Sequence, residues 1–386
     1  MRILLSCLQS LKRHPIPAYD FWRLYLTKGC EEAGIEFVEI PGVDWAEALT
    51  YPPGEELDQW RARTWEAVLT FVRREHARCP LDFFLGYLYP QQVEVAAVIE
   101  LQNMGIPCVN FFCDNVREFY RLPREYRAFA LHWVPEFEAL ALYRRAGAPH
   151  IHAPMPCWVS PEFRHVPATE SEPPTFVGSA DMLRRALLGA ALRAGSDFVV
   201  RGPGWQIGER ISIEAPPARR AGRALQNQMS MIRQHGLASL YYKFENRLYP
   251  PRIHEAPASR IRPAVFGTEY IRVTREAQVT IGVNRVPTAR TSFRRPLSYS
   301  RLRDLEGPML GACYLTERTN GLGQLYELGT EIEAYGTPEE LALKLSELKS
   351  DPARRRKLRE RGQKRALEEH SVARTLNKIC AKLGLP

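Results

Sequence analysis

Residues 176–185 read FVGSADMLRR. A short apolar strand over residues 175–178 stops at a glycine, and a helical run over residues 180–194 starts directly after it. Gly178 permits the tight turn, and Ser179 stands where a helix N-cap is expected. A strand–turn–helix unit of this kind aims the first helical N–H groups and their partial positive charge past the strand end, which suits a phosphate. Arg184 or Arg185 would add a guanidinium fork. An ordinary strand–helix turn has the same pattern, so the surroundings decide.

C-terminal to this unit the alternation continues. Residues 197–201 (DFVVR) predict a strand that ends in Gly202-Pro203-Gly204-Trp205. Residues 279–283 (VTIGV) predict another strand, residues 299–309 a helix and residues 312–316 a strand. Three helices over residues 337–348, 352–370 and 371–383 close the chain. On the N-terminal side, residues 154–174 carry six prolines and read as a linker. Before the linker, strands over residues 2–7, 35–40, 82–88, 107–113, 130–134 and 150–153 alternate with helical runs over 21–33, 57–76 and 93–103. Alternation of this kind predicts parallel, doubly wound sheets. The expected architecture is therefore α/β, with two Rossmann-like domains facing across a cleft. The boundaries are 1–158, a linker over 159–174, a second domain over 175–370, and a C-terminal helix over 371–386 that returns to the first domain. Residues 206–265 fit this scheme less well. Within them, residues 221–248 are helical in pattern, with Leu225, Met229, Ile232, Leu240, Phe244 and Leu248 near one face. That face either packs as core or meets a membrane surface or partner.

The whole chain has 386 residues, 45% apolar and 25% charged, an ordinary globular composition. No apolar run reaches the roughly 20 residues needed to span a bilayer. The eight cysteines form no CxxC pair, which predicts reduced, mostly buried thiols in a cytoplasmic protein and no metal site. Lys and Arg exceed Asp and Glu by 53 to 44, a formal charge of +9, so an anionic partner is expected wherever the cations gather. Six arginines, Arg285, Arg290, Arg294, Arg295, Arg301 and Arg303, fall within 19 residues after the strand at 279–283. Guanidinium forks suit a diphosphate. Aromatic residues do not alternate with them, so nucleic acid is disfavoured. In RLRDLEGPMLGACYLTE, residues 301–317, Glu306 is placed to accept two hydroxyl hydrogen bonds, as a ribose diol offers, or to pair with Arg303 on the helix surface. No GxGxxG follows the first strand, where SCLQSLKRHP stands instead, so a nicotinamide-dependent dehydrogenase is disfavoured.

Residues 176–370 resemble the C-terminal domain of the CgeB-like glycosyltransferases, a branch of the group 1 glycosyltransferases with the GT-B fold. The resemblance is carried by FVGS, VRGPGW, RDLEGPMLGACYLTE, LYELGTEIEAYGTPEELALKL and DPARRRKLRERGQKRALEEH, in that order. It implies a nucleotide-diphosphate sugar held on the second domain, with Glu306 on the ribose, Gly178 and Ser179 at the diphosphate and Arg303 just before the glutamate; from the charge and glycine pattern, Arg185, Arg290 and Gly311 join them as donor-binding candidates. Residues 328–335 would then pass close to the nucleotide. Related retaining enzymes carry a second glutamate eight residues before the first, where this chain has Ser298, so retention and inversion both stay open. Such enzymes need no metal and no further cofactor. Transfer also needs a base for the acceptor hydroxyl. Candidates at the strand ends of the first half are Asp114, the preferred one, and His14, followed by His132 and Glu136. The expected function is transfer of a sugar, in the hexosyltransferase class, to a glycan, lipid-linked or protein acceptor, with peripheral contact at the inner membrane face open. The alternatives are a non-catalytic surface- or coat-type protein that binds glycans or nucleotide sugars, and a sugar-nucleotide epimerase on the same fold.

Overall fold

The computed structural model describes residues 1–12, 19–206 and 238–385. His14, Leu225, Met229 and Ile232 therefore lie outside the described residues. The chain forms two compact units.

The first unit comprises Met1–Val116, Arg121–Trp158 and Glu368–Pro386. Its sheet has six parallel strands: β1 (Arg2–Ser6), β2 (Glu36–Val38), β3 (Phe83–Tyr87), β4 (Cys108–Phe111), β5 (Leu131–Val134) and β6 (His150–His152). Their order is β2-β1-β3-β4-β5-β6. β1, β3, β4 and β5 are buried along their whole length. Burial on both faces is why RILLS, FFLGY, CVNF and LHWV read as continuous apolar runs rather than alternating ones. The helix Glu55–Arg78 buries Leu57, Trp60, Thr64, Trp65, Val68 and Val72 at three- and four-residue spacing, the stripe an amphipathic helix turns inward. Trp45 meets Trp60 and Trp65 edge-on there. The closing helix Val372–Leu383 belongs to this unit and packs on the helix Tyr19–Glu32. The contact is close: a Cβ on Gly29 would stand 2.2 Å from Val372.

The second unit comprises Arg117–Tyr120 and Val159–Leu367. Its strands are β7 (Thr175–Val177), β8 (Val199–Arg201), β9 (Ile261–Arg262), β10 (Thr280–Gly282), a short antiparallel hairpin of β11 (Arg285–Val286) with β12 (Leu297–Ser298), β13 (Tyr314–Glu317) and β14 (Glu333–Tyr335). Six of them form a parallel sheet in the order β14-β13-β10-β7-β8-β9. Phe176, Leu187, Ile281, Leu315, Tyr335 and Leu341 lead its core. Residues 159–174 are part of this body. Glu170 is ion-paired with Arg355 at 2.5 Å and Arg359 at 3.2 Å. Arg359 is 2% exposed and also donates to the carbonyls of Arg275, Gly311 and Ala277. A buried guanidinium is tolerated because its donors are matched.

All eight cysteines are free thiols, and Cys79 alone is exposed. Burial pushes the Cys30 and Cys313 thiols up to about 12.

In the second sheet the winding reverses between β7 and β10, which are hydrogen-bonded neighbours. Open α/β sheets bind ligands beyond the carboxyl ends of the strands at such a reversal. This places attention on the turn after β7 and on the connection that follows β10.

Candidate functional site

The turn after β7 is tightly built. The loop after β8 presses onto it: Gly202 has φ +149°, and a Cβ there would stand 2.2 Å from the Gly178 carbonyl oxygen. Only glycine permits this approach. The Trp205 indole N–H donates to the same carbonyl at 2.8 Å.

The helix that follows is Met182–Arg193, and its N-cap is Asp181, not Ser179. The Asp181 carboxylate accepts from the backbone N–H groups of Leu183 and Arg184, both at 2.9 Å. Two first-turn donors are thereby taken by a carboxylate, so the helix start does not offer the open phosphate cradle expected from the sequence. Cations stand in its place. Arg184 donates to the Ser179 carbonyl at 2.9 Å and to its hydroxyl at 3.3 Å. Burial lowers the Arg184 pKa, and the charges of Arg301 and Arg303 push it the same way. Arg184 is also ion-paired with the cap carboxylate of Asp181 at 3.3 Å. Arg185 points elsewhere, to Glu255 at 2.5 Å and to the Gly204 carbonyl.

Across the reversal, β10 ends at Gly282, where a Cβ would collide with the Tyr314 hydroxyl at 2.3 Å. Behind it lies a fully buried polar knot centred on Asp304. The Asp304 carboxylate accepts from Ser300 Oγ at 2.8 Å and from Asn284 Nδ2, the Tyr314 hydroxyl and Thr316 Oγ1, each at 2.9 Å. This knot ties the helix Arg303–Met309 to the ends of β10 and β13 and so fixes the neighbouring arginines. Arg285 pairs with Glu317 at 2.5 Å.

Glu306 lies on that same helix. The Tyr270 hydroxyl, from the helix Gly267–Glu276, donates to Glu306 Oε2. Arg303 donates to the Tyr270 hydroxyl at 2.7 Å and lies over its ring at 4.6 Å. Burial pushes the Tyr270 phenol well up, so the hydroxyl keeps its proton and acts as a donor. Tyr270, Asp304 and Asp181 were not singled out from the sequence. Tyr270 shares a helical stripe with Val273, and a tyrosine there reads as core.

The remaining candidates are dispersed. Arg290 is engaged by the Phe119 carbonyl and the Tyr120 ring. Gly311 precedes β13, at the amino edge of a parallel sheet, with φ +75° and the His165 carbonyl 3.3 Å from where its Cβ would be. It ends a helix on the side away from the reversal. Residues 328–332 likewise enter β14 from its amino end. Ser298 lies in the β11–β12 hairpin opposite Arg285.

In the first unit, Asp114 follows β4 with φ +65°. Among the described residues only Leu8 shares a positive φ without being glycine. Glu136 is fully buried and accepts from the Asn115 N–H at 2.9 Å. Burial, then the charge of Asp114, pushes its carboxyl well up. His132 is 1% exposed, with Nε2 at 2.8 Å from the Tyr126 carbonyl, and is a core residue. Burial lowers its pKa from 6.5 to about 4. The unfolded chain takes up that proton near pH 6.5 and the folded one only near the lower value. Stability from this group is thus complete above pH 6.5 and is lost as pH falls through 4, by roughly 3 kcal/mol in all. Urea midpoints at pH 7 and pH 4.5 are expected to differ less for His132→Gln than for the wild type. Equal differences would remove His132 as a source of acid sensitivity.

Among the described residues no group of three His, Cys, Asp or Glu side chains is arranged to hold a metal ion. No helix there is long and apolar enough to cross a membrane.

The sequence profile of a family described as glycosyl transferase-like matches residues 184–381, just over half of the chain. No curated protein matches. Among solved structures the chain is similar to sucrose-phosphate synthase from Thermosynechococcus elongatus, with TM-score 0.58 and 14% identity over 99% of this chain and 98% of that one. It is similar to HepE from Anabaena in complex with UDP-glucose, with TM-score 0.55 and 12% identity over 100% and 99%. It is also similar to a glycosyltransferase from Rickettsia africae, with TM-score 0.55 and 11% identity over 98% and 97%. At such identities the likeness is one of fold, the two-domain α/β arrangement called GT-B. With a profile match across more than half its length, the chain belongs to the glycosyl transferase-like family.

Proposed function

We propose that the protein transfers a sugar, a hexose in the first instance, from a nucleoside-diphosphate donor to a glycan, lipid-linked or protein acceptor. One observation carries the reading: Arg303 and Glu306, on the helix that follows the winding reversal of the second sheet, meet at the Tyr270 hydroxyl. Guanidiniums neutralise a leaving diphosphate through charge-assisted forks. The Glu306 carboxylate accepts from the two ribose hydroxyls. Arg303 and Tyr270 hold that carboxylate in place, so they are positioning residues. Asp114, on the first unit, takes the proton of the attacking acceptor hydroxyl.

Guanidiniums can neutralise a leaving diphosphate without a metal, so we propose metal-independent transfer without a further cofactor. HepE was solved in complex with UDP and with UDP-glucose, and we propose a uridine nucleotide here as well. Placement in the CgeB-like branch rests on the order of FVGS, VRGPGW and RDLEGPMLGACYLTE. Reduced buried thiols fit action in the cytoplasm, with peripheral membrane contact where the acceptor is lipid-linked.

Calorimetric titration with UDP, GDP, ADP and dTDP, with and without magnesium, tests the reading. UDP is expected to bind in the micromolar range in both conditions. Glu306→Ala removes charge-assisted hydrogen bonds of about 1.5–3 kcal/mol, so affinity is expected to fall by roughly 10- to 100-fold. Unchanged affinity in that variant removes Glu306 from the site, and no binding by any nucleotide removes the donor reading.

A further inference from the structure

The connection from β10 to the helix Arg303–Met309 makes a second structure on its way. Residues 287–296 leave the β11–β12 hairpin and reach the helix Ala238–Leu248. Asn246 fastens the two together, donating to the Thr291 carbonyl at 3.1 Å and accepting from the Phe293 N–H at 2.6 Å. Between them is a cavity of about 620 Å³ lined by Tyr241, Tyr242, Glu245, Ser292, Arg294 and Arg295. Its size is that of an ordinary small-molecule site, roughly 300–1,000 Å³.

The lining specifies a ligand. Tyr241 and Tyr242 meet edge-on at 5.4 Å and bring apolar ring faces with hydroxyls at their rims. Arg294 lies over the Tyr249 ring at 5.3 Å. The backbone N–H groups of Arg294 and Arg295 are turned back onto Ser292 at 3.2 Å and 3.0 Å, which seats both side chains on one short turn. Among the described residues neither guanidinium has a carboxylate partner, whereas the nearby Arg285 is fully paired with Glu317. Both side chains are exposed, so their donors are open to an anion entering the cavity. A bare phosphate or a nucleic-acid backbone would have to face Glu245. A sugar would not, because its hydroxyls donate to that carboxylate while its C–H face lies on an aromatic ring. A neutral sugar would leave both arginines uncompensated.

We infer that this cavity binds a saccharide bearing an anionic group, carboxylate or phosphate, as the acceptor's recognition site. Calling the ligand an acceptor rests on the transferase reading, whereas the recognition itself does not. The loop that forms the cavity runs on into Arg301 and Arg303, so the recognition site and the donor cations share one connection.

The full chain is to be titrated with a hyaluronan tetrasaccharide, with glucose 6-phosphate and with neutral cellotetraose. The wild type is compared with the double variant Arg294→Gln/Arg295→Gln, and UDP is titrated separately into both. The wild type is expected to bind one of the anionic probes about ten-fold or more tightly than cellotetraose. Preference for the tetrasaccharide would identify the group as a carboxylate, and preference for glucose 6-phosphate as a phosphate. The double variant is expected to lose the preference and to keep its UDP affinity. Equal binding of the neutral probe, no binding of any saccharide, or full retention by the double variant would overturn the inference. So would arginine-dependent sedimentation of the protein with phosphatidylglycerol vesicles in the absence of any saccharide preference. Loss of UDP binding alone, with the saccharide preference intact, would instead strike the donor reading.

Discussion

Replacing Asp304 by alanine is expected to destabilise the second unit by about 3–5 kcal/mol, a large share of the total for a domain of this kind. The carboxylate is fully buried and is the shared acceptor for Ser300, Asn284, Tyr314 and Thr316. Its removal leaves the buried Tyr314 and Thr316 hydroxyls without an acceptor, each costing about 1–3 kcal/mol less whatever local relaxation recovers. The effect should not stop at stability. The same knot holds the start of the helix that carries Arg303 and Glu306, so nucleotide affinity should fall along with the urea midpoint. Asp304→Asn keeps one acceptor and should lie between. A midpoint shift worth under about 1 kcal/mol would mean that the knot is far softer than its geometry implies.

The second large effect is expected at Asp114. Asp114→Asn should lower kcat by roughly 10²–10⁴, the usual worth of a general base, with nucleotide affinity unchanged. The substitution is clean because asparagine tolerates the left-handed backbone at φ +65° that this position requires. Backbone strain of this kind persists where surrounding structure enforces it, and it concentrates at functional positions. Burial and the Asp114 charge push the neighbouring Glu136 carboxyl well up. Glu136 is thereby held toward its neutral form. Initial rates and donor KM separate the outcomes, and full turnover by the variant would move the base elsewhere.

The fold was legible because its central strands are buried on both faces, so LHWV, FFLGY and TFVG stood out as apolar runs between helical stripes. β9 and β14 escaped notice for the opposite reason. β9 has two residues. β14 opens with Glu333, which is buried only because Lys344 and Arg354 neutralise it. Glu306 was recognisable from its motif. Its partner Tyr270 was not, since 36 residues separate them and a tyrosine in a helical stripe reads as core. Ser179 was read as the helix cap because serine suits the role. Asp181, two residues on, suits it equally and directly precedes the first helical residue. The arginine run looked like one cluster in the sequence. In space Arg285 is drawn to Glu317, Arg290 to the Phe119 carbonyl, Arg303 to Tyr270 and Arg294 to the Tyr249 ring, because each guanidinium follows its nearest partner.

The uneven exposure of the thiols has a practical side. Seven of the eight are sealed inside, and Cys79 stands alone at the surface where the helix Glu55–Arg78 ends. Alkylation chemistry needs an accessible thiolate, so a maleimide fluorophore or spin label applied to the unaltered chain would settle at one address on the first unit. The protein thus arrives with its own reporter position, and no cysteine has to be engineered out before a label is used to follow a nucleotide titration.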